Sequence, residues 1–233
     1  MERYFFSVSN KQQEKYKNRE KPTVFAEFSG KKIVLMDDGV ILLNQLGEPD
    51  WEAPFNINGR VNDVFVSKDR LLIFTNSNEY TSWGMLGPAF LVNLTDGSLV
   101  AELKGRSGAA LSNGYFLLGL EGYEYFNTWL INQEGEVISQ WRSYGHYIVD
   151  ENNDIRVVEK DRCIPTKSSI VRLKLGGEIE RGPLLSDAQI SAPLVLTNND
   201  LLIIDCGVVK IIDVDLKEQY QKILLPNVHI RNH

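Results

Sequence analysis

The stretch Arg106–Trp141, RSGAALSNGYFLLGLEGYEYFNTWLINQEGEVISQW, decides how the rest of the chain is read. Short apolar runs, each of strand length, are separated by Asn113-Gly114, by Glu121–Thr128 and by Glu134-Gly135, all rich in residues that close tight turns or accept positive φ. This pattern predicts four antiparallel strands, A to D. Apolar residues at helical spacing are missing from it.

The same unit recurs along the chain. A–B turn signals fall at Gly30, Asp69, Gly114, Asn153 and Asn199, spaced by 39, 45, 39 and 46 residues. C–D turn signals fall at Gly47, Gly97, Gly135, Gly177 and Lys217, spaced by 50, 38, 42 and 40. A period near forty with four strands per unit is the signature of a propeller blade. The expected fold is therefore all-β: a single β-propeller of five four-stranded antiparallel blades. The blades are placed at about 23–55, 60–105, 106–142, 143–184 and 185–226. Residues 1–22 read as an N-terminal strand, Tyr4–Val8, that helps close the ring, followed by a polar linker carrying Lys11, Lys15, Lys17, Arg19 and Lys21. Val228–Arg231 is a candidate partner for that strand.

Composition narrows the function classes. A chain of 233 residues can bury a substantial core as one soluble domain. No apolar run reaches the length of a membrane span, and Tyr4–Val8 is too short for an export core, so a cytoplasmic setting is expected. Cys163 and Cys206 make no disulfide framework and are expected as free thiols. A net charge of −6 argues against direct nucleic-acid binding and favours a positively charged partner. His146, His229 and His233 lack metal-ligand spacing, and no nucleophile elbow or phosphate loop occurs, so neither metal nor cofactor is expected.

The segment Asp38–Trp51 ends a strand in a Gly turn and places a Trp on the next strand, and Leu91–Gly97 and Leu130–Gly135 echo it. In this it resembles blades of the quinoprotein-like and WD-type propeller superfamily. The Trp stands four residues after Gly47 and six after Gly135. The resemblance implies the propeller fold; no quinone-binding residue is carried over with it.

Directionality turns the repeat into a site. In an antiparallel blade the A–B and C–D turns share one end, which leaves the B–C connections at the other. The separation between the two turn signals of a unit is 17, 28, 21, 24 and 18 residues, so units two, three and four are the elaborated ones. Their connections are Asn76–Pro88, Glu121–Thr128 and Glu159–Ser169. From them Glu79, Tyr80, Trp83, Glu121, Tyr123, Glu124, Tyr125, Asp161 and Arg162 are selected as partner-binding residues. Aromatic rings offer large buried area at low entropy cost, and the charges orient and steer.

The leading reading is thus a non-enzymatic, monomeric protein-binding propeller. At class level it resembles bacterial immunity proteins that bind and neutralise a cognate basic nuclease toxin. Two alternatives stay open. One is a glycosidase or lyase in which Glu27, Asp63 and His146, on A strands, supply general acid and base; the other is a scaffold propeller in a larger assembly.

Overall fold

The computed structural model describes residues 23–28, 30–36, 39–52, 61–75, 79–81, 84–121, 126–160, 168–186 and 190–223. Every regular element among them is a β-strand, as alternating apolar runs bounded by turn residues require. The first sheet is β1 (Thr23–Phe28), β2 (Lys31–Met36), β3 (Gly39–Leu43) and β4 (Pro49–Glu52), hydrogen-bonded in chain order and antiparallel. The second is β5 (Val61–Ser67), β6 (Arg70–Thr75), β8 (Gly84–Asn93) and β9 (Leu99–Gly105), with the short β7 (Glu79–Thr81) paired to β8. The third is β10 (Ser107–Ala110), β11 (Phe116–Glu121), β12 (Phe126–Ile131) and β13 (Val137–Trp141); β8 also pairs with β11, so the second and third sheets form one hydrogen-bonded sheet of nine strands. The fourth is β14 (Gly145–Val149), β15 (Ile155–Glu159), β16 (Ser169–Leu173) and β17 (Ile179–Leu184). The fifth is β18 (Leu194–Val195), β19 (Leu201–Asp205), β20 (Val208–Ile212) and β21 (Glu218–Ile223). Among the described residues no helix is long and apolar enough to cross a membrane.

The turns show why the repeat is visible in the sequence. All five C–D turns share one backbone hydrogen bond, donated by Gly47, Gly97, Gly135, Gly177 and Leu216 to Asn44, Asn93, Asn132, Lys174 and Asp213 at 2.9–3.2 Å. In four of them the opening Asn or Asp side chain also accepts a backbone N–H inside the turn, as in Leu46 N to Asn44 Oδ1 and Lys217 N to Asp213 Oδ1. An Asx side chain mimics a backbone turn in this way, and the left-handed residue then lets the chain reverse. Two expected turn residues are displaced by one place: the positive φ belongs to Lys68 rather than Asp69, and to Leu216 rather than Lys217.

The chain divides into two units, one of residues 1–118 and 130–138, the other of 119–129 and 139–233. In the first, Ile33, Leu42 and Trp51 of the first sheet pack with Val64, Leu71, Ile73 and Phe90 of the second. The Trp51 indole lies against Gly97, where a Cβ would approach it to 2.7 Å, and its Nε1 donates to the Leu94 carbonyl at 2.8 Å. In the second unit, Ile148, Val158 and Ile170 of the fourth sheet pack with Leu201, Ile203 and Ile212 of the fifth. There the Trp141 Nε1 donates to the Lys174 carbonyl at 2.8 Å. Each Trp leaves the outer strand of one sheet and reaches the C–D turn of the next. Arginines supply the same kind of link where no Trp stands: Arg70 Nε to the Gln133 carbonyl at 3.0 Å, and the Arg172 guanidinium to the Val214 carbonyl.

Candidate functional site

Strand bounds show where the chain departs from its minimal repeat. The B–C connections of the first and fifth sheets are two residues each, 37–38 and 206–207. Those of the second, third and fourth sheets are 76–83, 122–125 and 160–168. The elaborated units are the three expected, but less of each segment is loop than its turn spacing suggested. In the second sheet β8 is extended to ten residues, and its first three pair with β7 as an added hairpin, Glu79 opposite Leu86 and Tyr80 opposite Met85. Glu121 ends β11 and Glu159 ends β15, so both belong to strands.

Of the selected partner-binding residues, Glu79 and Tyr80 sit on β7, and Glu121 is half-buried at the end of β11. Trp83, Tyr123, Glu124, Tyr125, Asp161 and Arg162 lie outside the described residues, as does Cys163. Cys206 is an exposed free thiol in the two-residue turn between β19 and β20. Among the three residues of the enzyme alternative, Asp63 is on β5 of the first unit and His146 on β14 of the second. Glu27 is on β1. Burial pushes the Asp63 carboxyl above its ordinary range, against the opposing hydrogen bond from Val64 N. Burial, and secondarily the Lys160 ammonium, hold His146 below the ordinary imidazole value.

The roots of the β15–β16 connection are built around a buried carboxylate. Glu159 is 0% exposed; its Oε1 accepts from Ser143 Oγ at 2.8 Å, and its Oε2 accepts from Ser169 N at 3.2 Å, Ser169 Oγ at 3.3 Å and the Arg181 guanidinium at 3.2 Å. A buried charge persists only when its lone pairs are satisfied in this way. Ser168 Oγ donates to the Lys160 carbonyl at 3.0 Å, tying the two ends of the connection together. Beside it, Thr128 Oγ1 donates to the Ser143 carbonyl at 2.6 Å and shares a 2.8 Å hydrogen bond with the Tyr147 hydroxyl.

Aromatic side chains line the same end of the second unit. Tyr144 meets Tyr147 edge-on at 6.2 Å and Phe126 at 6.4 Å, and the Lys160 ammonium lies 5.4 Å from the Tyr144 ring centre. Gly119 makes room for this cluster: a Cβ there would come within 2.1 Å of the Tyr147 hydroxyl and 2.9 Å of the Tyr144 ring. Sequence reasoning assigned Glu159 to a loop and passed over Ser143, Tyr144, Tyr147, Ser169 and Arg181. The recurrence of Tyr at 144 and 147 in the segment preceding an elaborated connection was the one signal that pointed there. Among the described residues no group of three or more His, Cys, Asp or Glu could hold a metal ion.

This is an all-β chain of repeated antiparallel sheets, with three of its B–C connections lengthened. Its β-sheet-rich fold loosely resembles propeller and quinoprotein-like folds. No protein-family model matches the sequence, and no curated protein matches it. Solved structures do. KlHsv2 with loop 6CD replaced by a Gly-Ser linker is 6% identical over 91% of this chain and 70% of its own, with a TM-score of 0.63. The quinohemoprotein alcohol dehydrogenase from Comamonas testosteroni is 14% identical over 88% of this chain and 43% of its own, with a TM-score of 0.57. A eukaryotic initiation factor is 10% identical over 89% of this chain and 66% of its own, with a TM-score of 0.51. At these identities the likeness is one of fold alone.

Proposed function

We propose that the five sheets are the blades of one β-propeller that works as a non-enzymatic protein-binding module, an immunity protein that binds and neutralises a basic nuclease toxin in the cytoplasm. The observation that carries this reading is the asymmetry of the connections. A–B and C–D turns are short and locally hydrogen-bonded, whereas the B–C connections of three consecutive sheets are lengthened. Those connections hold or adjoin Glu79, Tyr80, Trp83, Glu121, Tyr123, Glu124, Tyr125, Asp161 and Arg162, an aromatic and mainly acidic set on a chain of net charge −6. Rings of this kind anchor protein interfaces, and acidic side chains draw in a basic partner. In the second unit the Glu159 network braces the base of one such connection, which favours docking with little ordering cost.

The test is a search of the neighbouring reading frames for a basic nuclease domain, followed by titration of the purified chain with it. One tight complex is expected, forming more slowly as salt shortens the Debye length from its value of about 10 Å at 0.1 M. Trp83→Ala combined with Tyr123→Ala should weaken it about 100-fold or more. Absence of binding together with absence of growth protection against that nuclease refutes the proposal. The raised Asp63 carboxyl favours a second reading, an acid-catalysed glycosidase or lyase. Turnover of a carbohydrate substrate, lost on Asp63→Asn, would establish it in place of the first.

A further inference from the structure

Asn113-Gly114 lies in the turn between β10 and β11. The main-chain nitrogen that follows an asparagine is a nucleophile within reach of its side-chain amide carbon, and glycine, with no Cβ, shields that nitrogen least. Asn113 is exposed, so water and hydroxide reach its amide, whereas Gly114 is buried and left-handed at φ 97°. A Cβ on Gly114 would come within 2.2 Å of Gln133 Nε2, so the position calls for glycine.

Both reacting groups are held by other partners. Gly114 N donates to Ser67 Oγ at 3.0 Å and, more loosely, to the Leu111 carbonyl at 3.4 Å. Asn113 Oδ1 accepts from Tyr115 N at 3.2 Å, and Leu111 N donates to the Tyr115 carbonyl at 2.9 Å. Ser67 ends β5, is 5% exposed, and donates its hydroxyl proton to the Leu111 carbonyl. Its oxygen is thereby turned toward Gly114 as an acceptor, and the pair ties the second sheet to the third.

We propose that Asn113 is a site of spontaneous deamidation and that Ser67 sets its rate. Gly114 N gives up its proton to hydroxide and bonds to Asn113 Cγ; the Cγ–Nδ2 bond breaks, and ammonia leaves with a proton taken from water. Water then opens the cyclic imide at either carbonyl, giving aspartate or isoaspartate, and no oxidant or reductant takes part. A nitrogen bonded to Ser67 keeps its proton and its direction, so that bond has to be lost before the ring forms. Isoaspartate lengthens the main chain of this turn by one atom and adds a negative charge, which weakens the tie from Ser67 to the third sheet.

The experiment is incubation of the full chain at mildly alkaline pH, followed by peptide mapping with fragmentation that separates isoaspartate from aspartate. Conversion of Asn113 should be about tenfold or more slower in the folded chain than in the same chain unfolded in guanidinium chloride, because two hydrogen bonds restrain Gly114 N. Ser67→Ala, shown by circular dichroism to be folded, should raise the folded rate about three- to tenfold, and Ser67→Thr, which keeps the hydroxyl, should not. Isoaspartate among the products marks the imide route. Equal rates in the folded and unfolded chain, an unchanged rate in folded Ser67→Ala, or aspartate without isoaspartate would each overturn the proposal; if Ser67→Ala does not fold, the comparison of folded with unfolded wild-type chain still decides it.

Discussion

The indole nitrogen of Trp141, on the outer strand of the third sheet, donates a 2.8 Å hydrogen bond to the main-chain carbonyl of Lys174, in the C–D turn of the fourth. Trp141 is 1% exposed, so the ring fills core volume while its nitrogen meets an exposed turn. Trp51 and the Leu94 carbonyl repeat the arrangement at the same distance in the first unit.

Trp141→Ala should therefore cost about 3–5 kcal/mol, the range for deleting a large buried aromatic side chain. Trp141→Phe should cost less, through a smaller cavity and the loss of one hydrogen bond worth about 0.5–1.5 kcal/mol, since the Lys174 carbonyl still accepts from Gly177 N. Urea unfolding monitored by circular dichroism gives both values. Trp51→Phe should behave like Trp141→Phe, and near-neutral results at both sites would show that the links contribute little.

Gly119→Ala should destabilise by about 1–3 kcal/mol through overpacking, since its methyl would strike the Tyr147 hydroxyl. Tyr147→Phe removes the atom struck and gives up the bond to Thr128. In the double variant the two costs should sum to less than their separate values, and a double-mutant cycle by thermal unfolding measures the coupling. Strict additivity would count against the contact.

The Arg181 guanidinium donates to the Glu159 carboxylate at 3.2 Å. Because the Arg181 side chain is 46% exposed, solvent screens the pair, and Arg181→Met is expected to cost only about 1–2 kcal/mol. Glu159→Gln should leave the strands intact yet speed amide exchange at Ser169, whose N–H now meets a weaker acceptor. Hydrogen exchange followed by mass spectrometry reads that change.

Burial by itself would raise the Asp205 carboxyl, but Lys210 Nζ at 2.8 Å and the Ser186 amide at 2.9 Å outweigh it and hold it below its ordinary range. A depressed folded-state value means stability present above the ordinary carboxylate range and lost as pH falls through the folded value. His146, also depressed, acts nearer neutrality: its contribution is complete above about 6.5 and is lost as pH falls from there toward the folded value. Stability measured across pH should show both losses. Lys210→Met should shrink the acidic one, and His146→Gln should remove the one nearer neutrality.

Most of the strand order was legible because it is written locally. Asn93 to Gly97 and Asn132 to Gly135 each contain their own turn, with the Asx acceptor and the left-handed glycine a few residues apart. The two misplaced turns lack glycine. At Leu216 the left-handed backbone costs about 1–2 kcal/mol, and burying the side chain, 5% exposed in the core with Leu201 and Ile212, offsets a similar amount. That compensation comes from distant strands, and no local rule could have indicated it.

The sequence by itself determined the class: strands from alternating apolar runs, a period near forty from recurring turn residues, and three enlarged B–C connections from unequal spacing. Only the tertiary structure decided which polar groups lie inside and what they meet. Glu159 read as a loop carboxylate and is fully buried; Trp51 and Trp141 read as repeat markers and prove to be hydrogen-bond donors to turns 43 and 33 residues away. Turns and strands are set by neighbours along the chain, whereas burial and pairing depend on segments that meet only after the sheets have packed.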